Sequence, residues 1–533
     1  MQYINNAHIQ LLCISKEKSR MRRITSLNHI EAKDYFLKEE SYFDFDLPSY
    51  FVFQELINKI SKRIENGNLS DFYNSETILK NGVEKTKPTF PSNYEKVNYK
   101  FLNNKDGKYS WRPFQLMHPA IYVSLVHKIT TEENWAFIVS RFSDFANNDK
   151  IICQSLPIKS ESEVSDKGET VTNWWQGIEQ NSIALGLRYD YIIHTDIADC
   201  YGSIYTHSIP WALHTREIAK TERSNKSLIG NIIDKHIQDM SYGQTNSIPQ
   251  GSILMNLIAE MVLGSIDEIL TNKLQEQQII DYKILRYRDD YRVFSNNPQT
   301  CEIIIKNLTE ILIDYGLKLN AQKTIVSNDV VTSSIKPDKL FWLESKKGNR
   351  SLQEHLLLIL SLSKKYPNSG SLTKALSKFY DRIKKLKNTK NNIEVLTSIL
   401  IDITFKNPRT YPISSAILSK FLSLLEDNES KIELMNLIVR KFETIPNTGH
   451  IQIWLQRVLI KIKRDYIFEE ELAKKINNSD LELWNSLWLN DEMQNLLKTE
   501  NIIDESVIKK IDIVIDSNEV QLFESKNDYK YKE

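Results

Sequence analysis

A chain of 533 residues and 62.3 kDa is too long for a single hydrophobic core, so the length predicts two to four domains. Hydrophobic residues make up 41% of the chain and charged residues 26%, which excludes a disordered or collagen-like protein. Lys and Arg total 69, as do Asp and Glu, which excludes a uniformly basic protein. Opposite charges can still segregate onto different faces of the molecule.

Cysteine usage and the lack of long apolar runs predict a cytoplasmic protein with no membrane partner. Cys13, Cys153, Cys200 and Cys301 lie far apart without a CxxC pair, which argues against a zinc ribbon or a disulfide framework. No apolar run approaches the roughly 18 to 20 residues that span a bilayer. The N-terminus has no basic segment ahead of its apolar patch, which argues against a signal peptide, and Met21 is an alternative start.

The first 190 residues are predicted to be mostly helical. Residues 27–66 alternate apolar clusters with charges at helical spacing, and residues 67–93 are polar and loop-rich. Helical patterns then follow between residues 110 and 190, interrupted by a polar loop from Ser160.

A different texture begins at Tyr189. The segment YDYIIHTDI is a β-rich run that stops on an acidic residue, and KILRYRDDYRVFS is a pair of strands with an acidic turn. Two helices and a glycine- and proline-containing turn separate these segments, and a helix that ends at Gly316 follows them. The order β-α-α-β-β-α predicts an α+β domain, a small antiparallel sheet backed by helices.

After about Ser345 the pattern becomes helical throughout. Turn signals recur at Pro367, Pro408 and Pro446, about 40 residues apart, as expected for HEAT-type helical repeats. An irregular helical bundle with Pro–Asn turns fits the same pattern equally well.

Three acidic residues are the strongest candidates for chemistry. Asp196 ends a strand, and Asp289 and Asp290 lie at the turn of a strand pair. Adjacent carboxylates among apolar strands repel one another and are costly unless a cation neutralises them. Magnesium prefers oxygen ligands, and two such ions would clamp an in-line attack of a hydroxyl on a phosphate. For YRDD alone, a surface turn is the competing interpretation because Asp is a favoured turn residue.

Five segments in order resemble motifs A to E of the palm domain of reverse transcriptases: DIADCYGSIYTH, NSIPQGSILMNLIAE, RYRDDYRVF, GLKLNAQKT and KLFWLE. The resemblance implies that Asp196, Asp289 and Asp290 are catalytic metal ligands, joined by the backbone carbonyl of Ile197. It implies two Mg²⁺ ions, with Mn²⁺ as the alternative. Asp199 would lie where the backbone meets the triphosphate of an incoming nucleotide.

The same resemblance assigns residues to the nucleotide. Tyr201 would be the steric gate, a ring beneath the sugar that clashes with a ribose 2′-hydroxyl and so favours deoxynucleotides. Gln250 and Gly251 match the motif B turn, where glycine lets backbone approach the nascent base pair. Lys323 matches the motif D lysine that acts on the departing pyrophosphate, and an ordinary exposed lysine is the alternative. Arg112 is the first choice for a triphosphate contact, with Lys159 and Arg141 as weaker candidates.

Motifs C and E imply contacts with primer and template. Arg288 stands where many family members have a small residue or Met, and its side chain would lie near the primer terminus. Phe341 and Trp342 resemble the primer-grip hairpin, although they fit equally well as core aromatics.

The wording of motif A, with His207 and Trp211 after it, resembles the abortive-infection and unknown-group (Abi/UG, DRT) reverse transcriptases of bacterial phage defence. This implies a right-hand polymerase fold: residues 1–95 as an N-terminal extension, 96–190 as fingers, 191–345 as palm, and 346–533 as an all-α, HEAT-like region replacing a conventional thumb.

The implied function is that of an RNA-directed DNA polymerase that copies a dedicated non-coding RNA. Its partners would be dNTPs, the RNA template and the DNA product, with a homo-oligomer or a partner subunit as further expectations. Untemplated or protein-primed synthesis is the alternative within the family. A non-catalytic RNA-binding scaffold on a palm fold is the alternative from another class, although it predicts loss of at least one of the three carboxylates.

Overall fold

The structure is a computed structural model that describes residues 21–65, 67–80, 83–160, 175–345, 350–389 and 391–520. The parts of the predicted terminal regions that fall on residues 1–20 and 521–533, including Cys13, lie outside the described residues, as does most of the loop predicted from Ser160. Within the described ranges, no helix combines the length and apolarity required to cross a membrane.

The described residues between 21 and 160 combine helices with β-hairpins. The helices are α1 (His29–Phe36), α2 (Glu39–Tyr42), α3 (Gln54–Ile64), α4 (Pro119–Ile129) and α5 (Glu132–Phe145). The strands are β1 (Met21–Arg23), β2 (Ser75–Lys80), β3 (Val83–Pro88), β4 (Tyr99–Asn104), β5 (Trp111–Leu116), β6 (Ile151–Cys153) and β7 (Ile158–Ser160). Strands β2 and β3 form one antiparallel hairpin, β4 and β5 form another, and β1 pairs with β7. Helix α4 is apolar nearly all round and is therefore buried in the main core.

Residues 181–345 supply most of a five-stranded sheet and the helices that cover it. The strands are β8 (Tyr191–Asp196), β9 (Lys283–Tyr287), β10 (Asp290–Ser295) and β11 (Ile325–Ser327). The helices are α6 (Asn181–Leu185), α7 (Cys200–Ser203), α8 (Ser208–His214), α9 (Arg216–Thr221), α10 (Ile229–Met240), α11 (Ile253–Glu276), α12 (Pro298–Asp314), α13 (Val330–Ser334) and α14 (Pro337–Ser345). The predicted α+β arrangement is confirmed.

This sheet, here called the central sheet, has the strand order β11-β8-β10-β9-β6. All neighbouring pairs are antiparallel except β6 and β9, which run parallel. The middle strands β8 and β10 are rich in Ile, Val, Tyr and Phe, which favour a pleated and half-buried surface. Helix α11 packs beside α12 and the end of α5, so its polar residues as well as its apolar ones are buried.

Residues 352–459, here called the paired-helix region, form two layers of stacked helices. The helices are α15 (Leu352–Lys365), α16 (Gly370–Ile383), α17 (Ile393–Lys406), α18 (Tyr411–Ser423), α19 (Asn428–Glu443) and α20 (Gly449–Leu459). Each helix packs against the helix two places further along the chain. As a result, α15, α17 and α19 form one layer, and α16, α18 and α20 form the other. Pro367, Pro408 and Pro446 each fall in the turn inside one pair. The expected helical repeats are confirmed.

The turns of the paired-helix region dock on the β4–β5 hairpin. The Asn368 side chain donates to the carbonyl of Lys105 at 2.8 Å, and the backbone N–H of Asn104 donates to the carbonyl of Asn447 at 2.7 Å. Gly107 has a φ of +72°, and a Cβ there would lie 2.6 Å from the carbonyl oxygen of Phe405. Only glycine therefore fits this close approach without a shift of backbone.

The chain then returns to the N-terminal residues. Its last described helices are α21 (Glu471–Lys475), α22 (Asp491–Thr499), α23 (Glu505–Lys510) and α24 (Ser517–Val520). Trp484 donates from its indole nitrogen to the carbonyl of Leu116 at 3.1 Å, and Phe51 forms a β-bridge with Ile503. Trp484, Trp488 and Ile503 belong to the same buried core as α3 and α4. Residues 483–508 thus complete the core of the N-terminal part.

Candidate active site

The three predicted carboxylates lie together at one end of the two middle strands. Asp196 is the last residue of β8, and Asp290 is the first residue of β10 and its direct partner in the antiparallel register. Asp289 lies in the two-residue turn before β10, and its carbonyl accepts from the N–H of Ile197 at 3.1 Å. The structure therefore brings motifs A and C together through the pairing of β8 with β10.

The electrostatics of this corner are unfavourable for three negative charges. Desolvation, followed by the charges of Asp289 and Asp196, raises the pKa of Asp290 to about 6, although its side chain reaches the surface. Desolvation, together with the charge of Asp196, also raises the pKa of Asp289. A cation between these groups would remove the repulsion.

Lys323 supplies one positive charge at this position. It lies in a 3₁₀ turn after α12, and its ammonium group forms an ion pair with Oδ2 of the buried Asp196. Burial alone would lower the pKa of Lys323, but the hydrogen bond to Asp196 and the charges of the three carboxylates outweigh it and raise the pKa. The predicted proximity of Lys323 to the site agrees with this geometry.

The donor set fits a divalent cation in its chemistry. Oδ1 of Asp196 is buried without a hydrogen-bond partner, and it lies beside two carboxylates whose pKa values are raised. Carboxylate oxygens are the ligands that Mg²⁺ prefers. In the described part of the chain no three acidic, His or Cys side chains are already grouped closely enough to hold a metal ion. Asp196, Asp289 and Asp290 would therefore have to converge, and Lys323 would have to release Asp196, on binding.

Tyr201 joins the carboxylate strand to the Gln250–Gly251 turn, because its carbonyl accepts from the N–H of Ile248 at 2.9 Å, two residues before Gln250. Tyr201 lies five residues after Asp196, in the short helix α7, and is partly exposed. Its hydroxyl donates to Oδ1 of Asn256 at 2.6 Å. The Gly251 φ of +129° is in the range that favours glycine, and a Cβ there would lie 3.0 Å from the ring of Phe45. Motifs A, B and C thus meet in one corner, as the sequence predicts.

Comparison with known proteins agrees with this arrangement. Residues 105–352 match the family described as "Reverse transcriptase (RNA-dependent DNA polymerase)". The matched range contains the β5 strand, the central-sheet strands that carry the three carboxylates, and the motif B helix. Residues 105–352 form a reverse transcriptase domain.

The curated relatives of this reverse transcriptase domain are telomerase reverse transcriptases. The mouse protein is 31% identical over 91 residues, and the rat protein is 29% identical over 94 residues. These segments are 17% and 18% of this chain and 8% of each relative, so the chain spans less than a tenth of the length of the proteins it matches.

Solved structures that resemble the chain include two yeast telomerases. Apo telomerase from Candida tropicalis has 12% identity and a TM-score of 0.31, covering 80% of this chain and 73% of that one. Telomerase from Candida albicans, in complex with a TWJ fragment of telomeric RNA, has 12% identity and a TM-score of 0.27, covering 80% and 68%.

Lys336, Arg409 and Arg112 come from three parts of the chain and lie near one another, and Lys336 is close enough to Asp290 for their charges to interact. Burial and the nearby charges of Arg409 and Arg292 lower the pKa of Lys336, whereas Asp290 opposes this effect. Burial and the charge of Arg112 lower the pKa of Arg409, which lies in the turn between α17 and α18. The sequence analysis named Arg112 as a candidate for phosphate binding but did not name Lys336 or Arg409. No sequence motif indicates that the turn carrying Arg409 packs near a strand about 300 residues earlier.

A buried ionic network underlies the Arg288–Asp289 turn. Arg286 of β9 pairs with Glu260 at 2.8 Å and with Asp267 at 2.7 Å, both on α11, and all three side chains are at most 5% exposed. The second oxygen of Glu260 accepts from the hydroxyl of Ser155 at 2.6 Å, and that hydroxyl in turn accepts from the N–H of Arg288 at 2.8 Å. The network therefore fixes the turn from below. This network could not be predicted from the sequence, because Glu260 and Asp267 lie within a mostly apolar helix.

Arg288 adopts a left-handed backbone conformation with a φ of +55°. Its guanidinium lies 5.9 Å from the ring of Tyr287, and its buried Nε has no hydrogen-bond partner. Asp199 also has a left-handed backbone, with a φ of +45°, and its exposed side chain lies over Gly202. The predicted roles of Arg288 at the primer terminus and of Asp199 at the triphosphate stay predictions.

The prediction that Phe341 and Trp342 lie in a motif E hairpin is wrong. Phe341 and Trp342 lie within α14, a nine-residue helix that begins at Pro337. Trp342 is 7% exposed and belongs to the core of the paired-helix region, and Lys365 lies 4.5 Å from the centre of the Phe341 ring. Pro at the first helical position and the packing against α15 and α16 favour a helix over strands. Their alternative reading as core aromatics holds for Trp342.

The two weaker triphosphate candidates have structural partners. Arg141 pairs with Glu268 at 3.0 Å and with Asp144 at 2.8 Å. Lys159 lies on β7 opposite Arg22, where its charge acts on Glu31. Neither arrangement supports a triphosphate contact.

Proposed function

We propose that the protein is an RNA-directed DNA polymerase that transfers nucleotides from dNTPs to a growing strand. The observation that carries the proposal is that strand pairing places Asp196, Asp289 and Asp290 at the same end of β8 and β10, within a reverse transcriptase domain. A scaffold with a degenerate site would have no reason to keep three mutually repelling carboxylates.

The side chains of the chain would divide the reaction between them. Asp196, Asp289, Asp290 and the carbonyl of Ile197 would hold Mg²⁺ or Mn²⁺, which when bound lowers the cost of developing negative charge on the phosphate. Lys323, already beside the carboxylates, is placed to hold or donate a proton at the departing pyrophosphate. Arg112, Arg409 and Lys336, whose charges act on one another, would supply positive charge for binding phosphates.

The first test is primer extension on an RNA template with Mg²⁺. Replacing Asp289 and Asp290 by Asn should lower dNTP incorporation by at least about 10³-fold, because the site loses two of the three negative charges that would hold the cation. Thermal unfolding should show the variant as stable as wild type or more so, since the repulsion is removed. Lys336→Ala is the matched comparison and should lower kcat/KM without abolishing incorporation. Wild-type rates in the Asp289→Asn, Asp290→Asn variant would contradict the proposal.

We further propose that the protein belongs to the bacterial defence-associated Abi/UG branch and copies a non-coding RNA in the cytoplasm. The motif A wording and the paired-helix region after the reverse transcriptase domain support the branch. The free thiols of Cys153, Cys200 and Cys301 support a reducing compartment. The predicted limits of the fingers, 96–190, and palm, 191–345, belong to the same proposal.

Sequencing the nucleic acid that co-purifies with the active protein tests the template. A single abundant non-coding RNA, with complementary DNA, is the expected result. DNA without any RNA complement, or DNA covalently attached to the protein, would instead establish untemplated or protein-primed synthesis.

A further inference from the structure

A chain of hydrogen bonds connects Tyr201 to the N-terminal part of the protein. The Tyr201 hydroxyl donates to Oδ1 of Asn256 at 2.6 Å, and Nδ2 of the same Asn256 donates to Oδ2 of Asp44 at 3.1 Å. Asn256 lies on α11 and is 4% exposed, whereas Asp44 lies in the loop after α2. The amide of Asn256 is thus oriented from both sides, with its oxygen toward the tyrosine and its nitrogen toward the carboxylate.

Backbone contacts hold Asp44 in place. Its N–H donates to the carbonyl of Gly251 at 2.8 Å, and the adjacent Phe45 packs against the Cα of Gly251. The carbonyl of the neighbouring Gln250 accepts from the N–H of Gln115 at 2.9 Å. The backbone of Asp44 is therefore fixed relative to the motif B turn, so its carboxylate starts from a fixed position beside Asn256.

The consequence for Tyr201 is that its ring is held at both ends. The backbone end is fixed by α7 and by the carbonyl of Tyr201, which accepts from the N–H of Ile248 at 2.9 Å. The hydroxyl end is fixed by Asn256. A ring anchored at one end can tilt, whereas one anchored at both ends keeps its edge in place, and displacements of about 1 Å in a site have large effects on rate.

We propose that Asn256 and Asp44 are positioning residues for sugar discrimination, which lock the Tyr201 ring where a ribose 2′-hydroxyl would collide with it. The inference rests on the proposed polymerase function and adds to it a role for the N-terminal extension. Arg288 lies near this chain of hydrogen bonds, close enough for the charges of Tyr201 and Asp44 to raise the pKa of its guanidinium.

The geometry separates two effects that a bulky gate residue usually combines. Removing the ring removes the obstacle itself, whereas removing the hydroxyl or its anchor leaves the obstacle in place but frees it to move. Tyr201→Phe and Asp44→Ala therefore probe the lock, Tyr201→Ala probes the obstacle, and Asp44→Asn keeps an acceptor for the Asn256 amide. Asp402→Ala, in an exposed pair with Lys406 on α17, is the matched control for loss of a carboxylate.

The experiment measures kcat/KM for dGTP and for GTP on a primed RNA template, with thermal unfolding of each variant as a check on folding. Discrimination, the ratio of the two values, should fall about tenfold in Tyr201→Phe and Asp44→Ala, the change expected for one lost hydrogen bond. It should stay within about threefold of wild type in Asp44→Asn and unchanged in Asp402→Ala. Tyr201→Ala should lose more discrimination than either lock variant.

Three outcomes are told apart. Wild-type discrimination in both Tyr201→Phe and Asp44→Ala, together with its loss in Tyr201→Ala, would overturn the lock but leave the steric gate intact. Wild-type discrimination in Tyr201→Ala would overturn the gate itself. A folded wild-type protein that incorporates neither nucleotide would contradict the polymerase function on which the inference rests.

Discussion

The turn that carries the carboxylates and the contact between the stacked helices depend on different interactions. Beneath the carboxylates, Arg286, Glu260 and Asp267 form buried ion pairs that fix the turn between β9 and β10. Between the stacked helices, Leu376 and Leu400 are fully buried among other apolar side chains. Directional bonds set the positions of individual atoms, whereas apolar packing sets only the spacing of whole helices. The position of the carboxylates therefore depends on the buried ion pairs, and the stacking of the helices depends on apolar packing.

Loss of one charge in the central sheet is expected to have the largest effect on stability. Glu260→Ala should lower the free energy of unfolding by about 3–5 kcal/mol, because Arg286 keeps its charge in the interior with one partner fewer. Urea unfolding followed by tryptophan fluorescence measures this. Polymerase activity should fall as well, since Ser155 loses the acceptor that orients it toward Arg288.

An exposed ion pair serves as the control for Glu260. Glu505 pairs with Arg464 through both oxygens, but the two side chains are 45% and 39% exposed. Glu505→Ala should therefore cost less than about 1 kcal/mol. Equal losses in Glu260→Ala and Glu505→Ala would show that burial of the charge does not decide the effect.

A cavity in the paired-helix region is expected to have a somewhat smaller effect. Leu400→Ala on α17 should lower the free energy of unfolding by about 3 kcal/mol, because it removes apolar contacts and leaves a void. Leu437→Ala on α19, where the side chain is 58% exposed, should change it by less than ~0.5 kcal/mol. Incorporation by the folded fraction of Leu400→Ala should match wild type, and a large loss of kcat would contradict the division between site and scaffold.

The contact between the paired-helix region and the β4–β5 hairpin is expected to show the smallest effect. Asn368 has a φ of +54°, donates to the Lys105 carbonyl, and accepts from the N–H of Arg409 at 3.2 Å. Asn368→Gly keeps the left-handed backbone but loses these bonds and should cost about 1 kcal/mol. Asn368→Ala adds backbone strain and should cost about 2 kcal/mol. Identical unfolding midpoints for the two variants would contradict a role for the backbone conformation.

The sequence predicted the carboxylate site because its evidence is local. Asp196 and the Asp289–Asp290 pair each end or begin a strand of β-branched and aromatic residues, and strand pairing then brings them together. The turn signals at Pro367, Pro408 and Pro446 predicted the helix pairs for the same reason, since a turn residue acts on its own neighbourhood.

Contacts between distant segments could not be predicted. Asp44 and Asn256 are 212 positions apart, and nothing in either local pattern marks them as partners. Arg409 comes near Arg112 only because the helix turns dock on the β4–β5 hairpin. The error at Phe341 and Trp342 has a different cause, because KLFWLE is a run of four apolar residues between two charged ones, and so short a run fits both a strand and a buried helix segment.

The return of the chain to its N-terminal part has a consequence for biosynthesis. Helix α3 receives Glu500 as the partner of Lys59 at 2.6 Å, and Phe51 pairs with Ile503, contacts that span about 440 and 450 positions. At translation rates of about 5–20 residues per second, roughly 20 to 90 s pass between the synthesis of the two sides. The N-terminal core therefore stays incomplete on the ribosome until residues 483–508 have emerged. Asp44 belongs to that N-terminal part, so the proposed lock on Tyr201 would rest on a finished core only after those residues have been made.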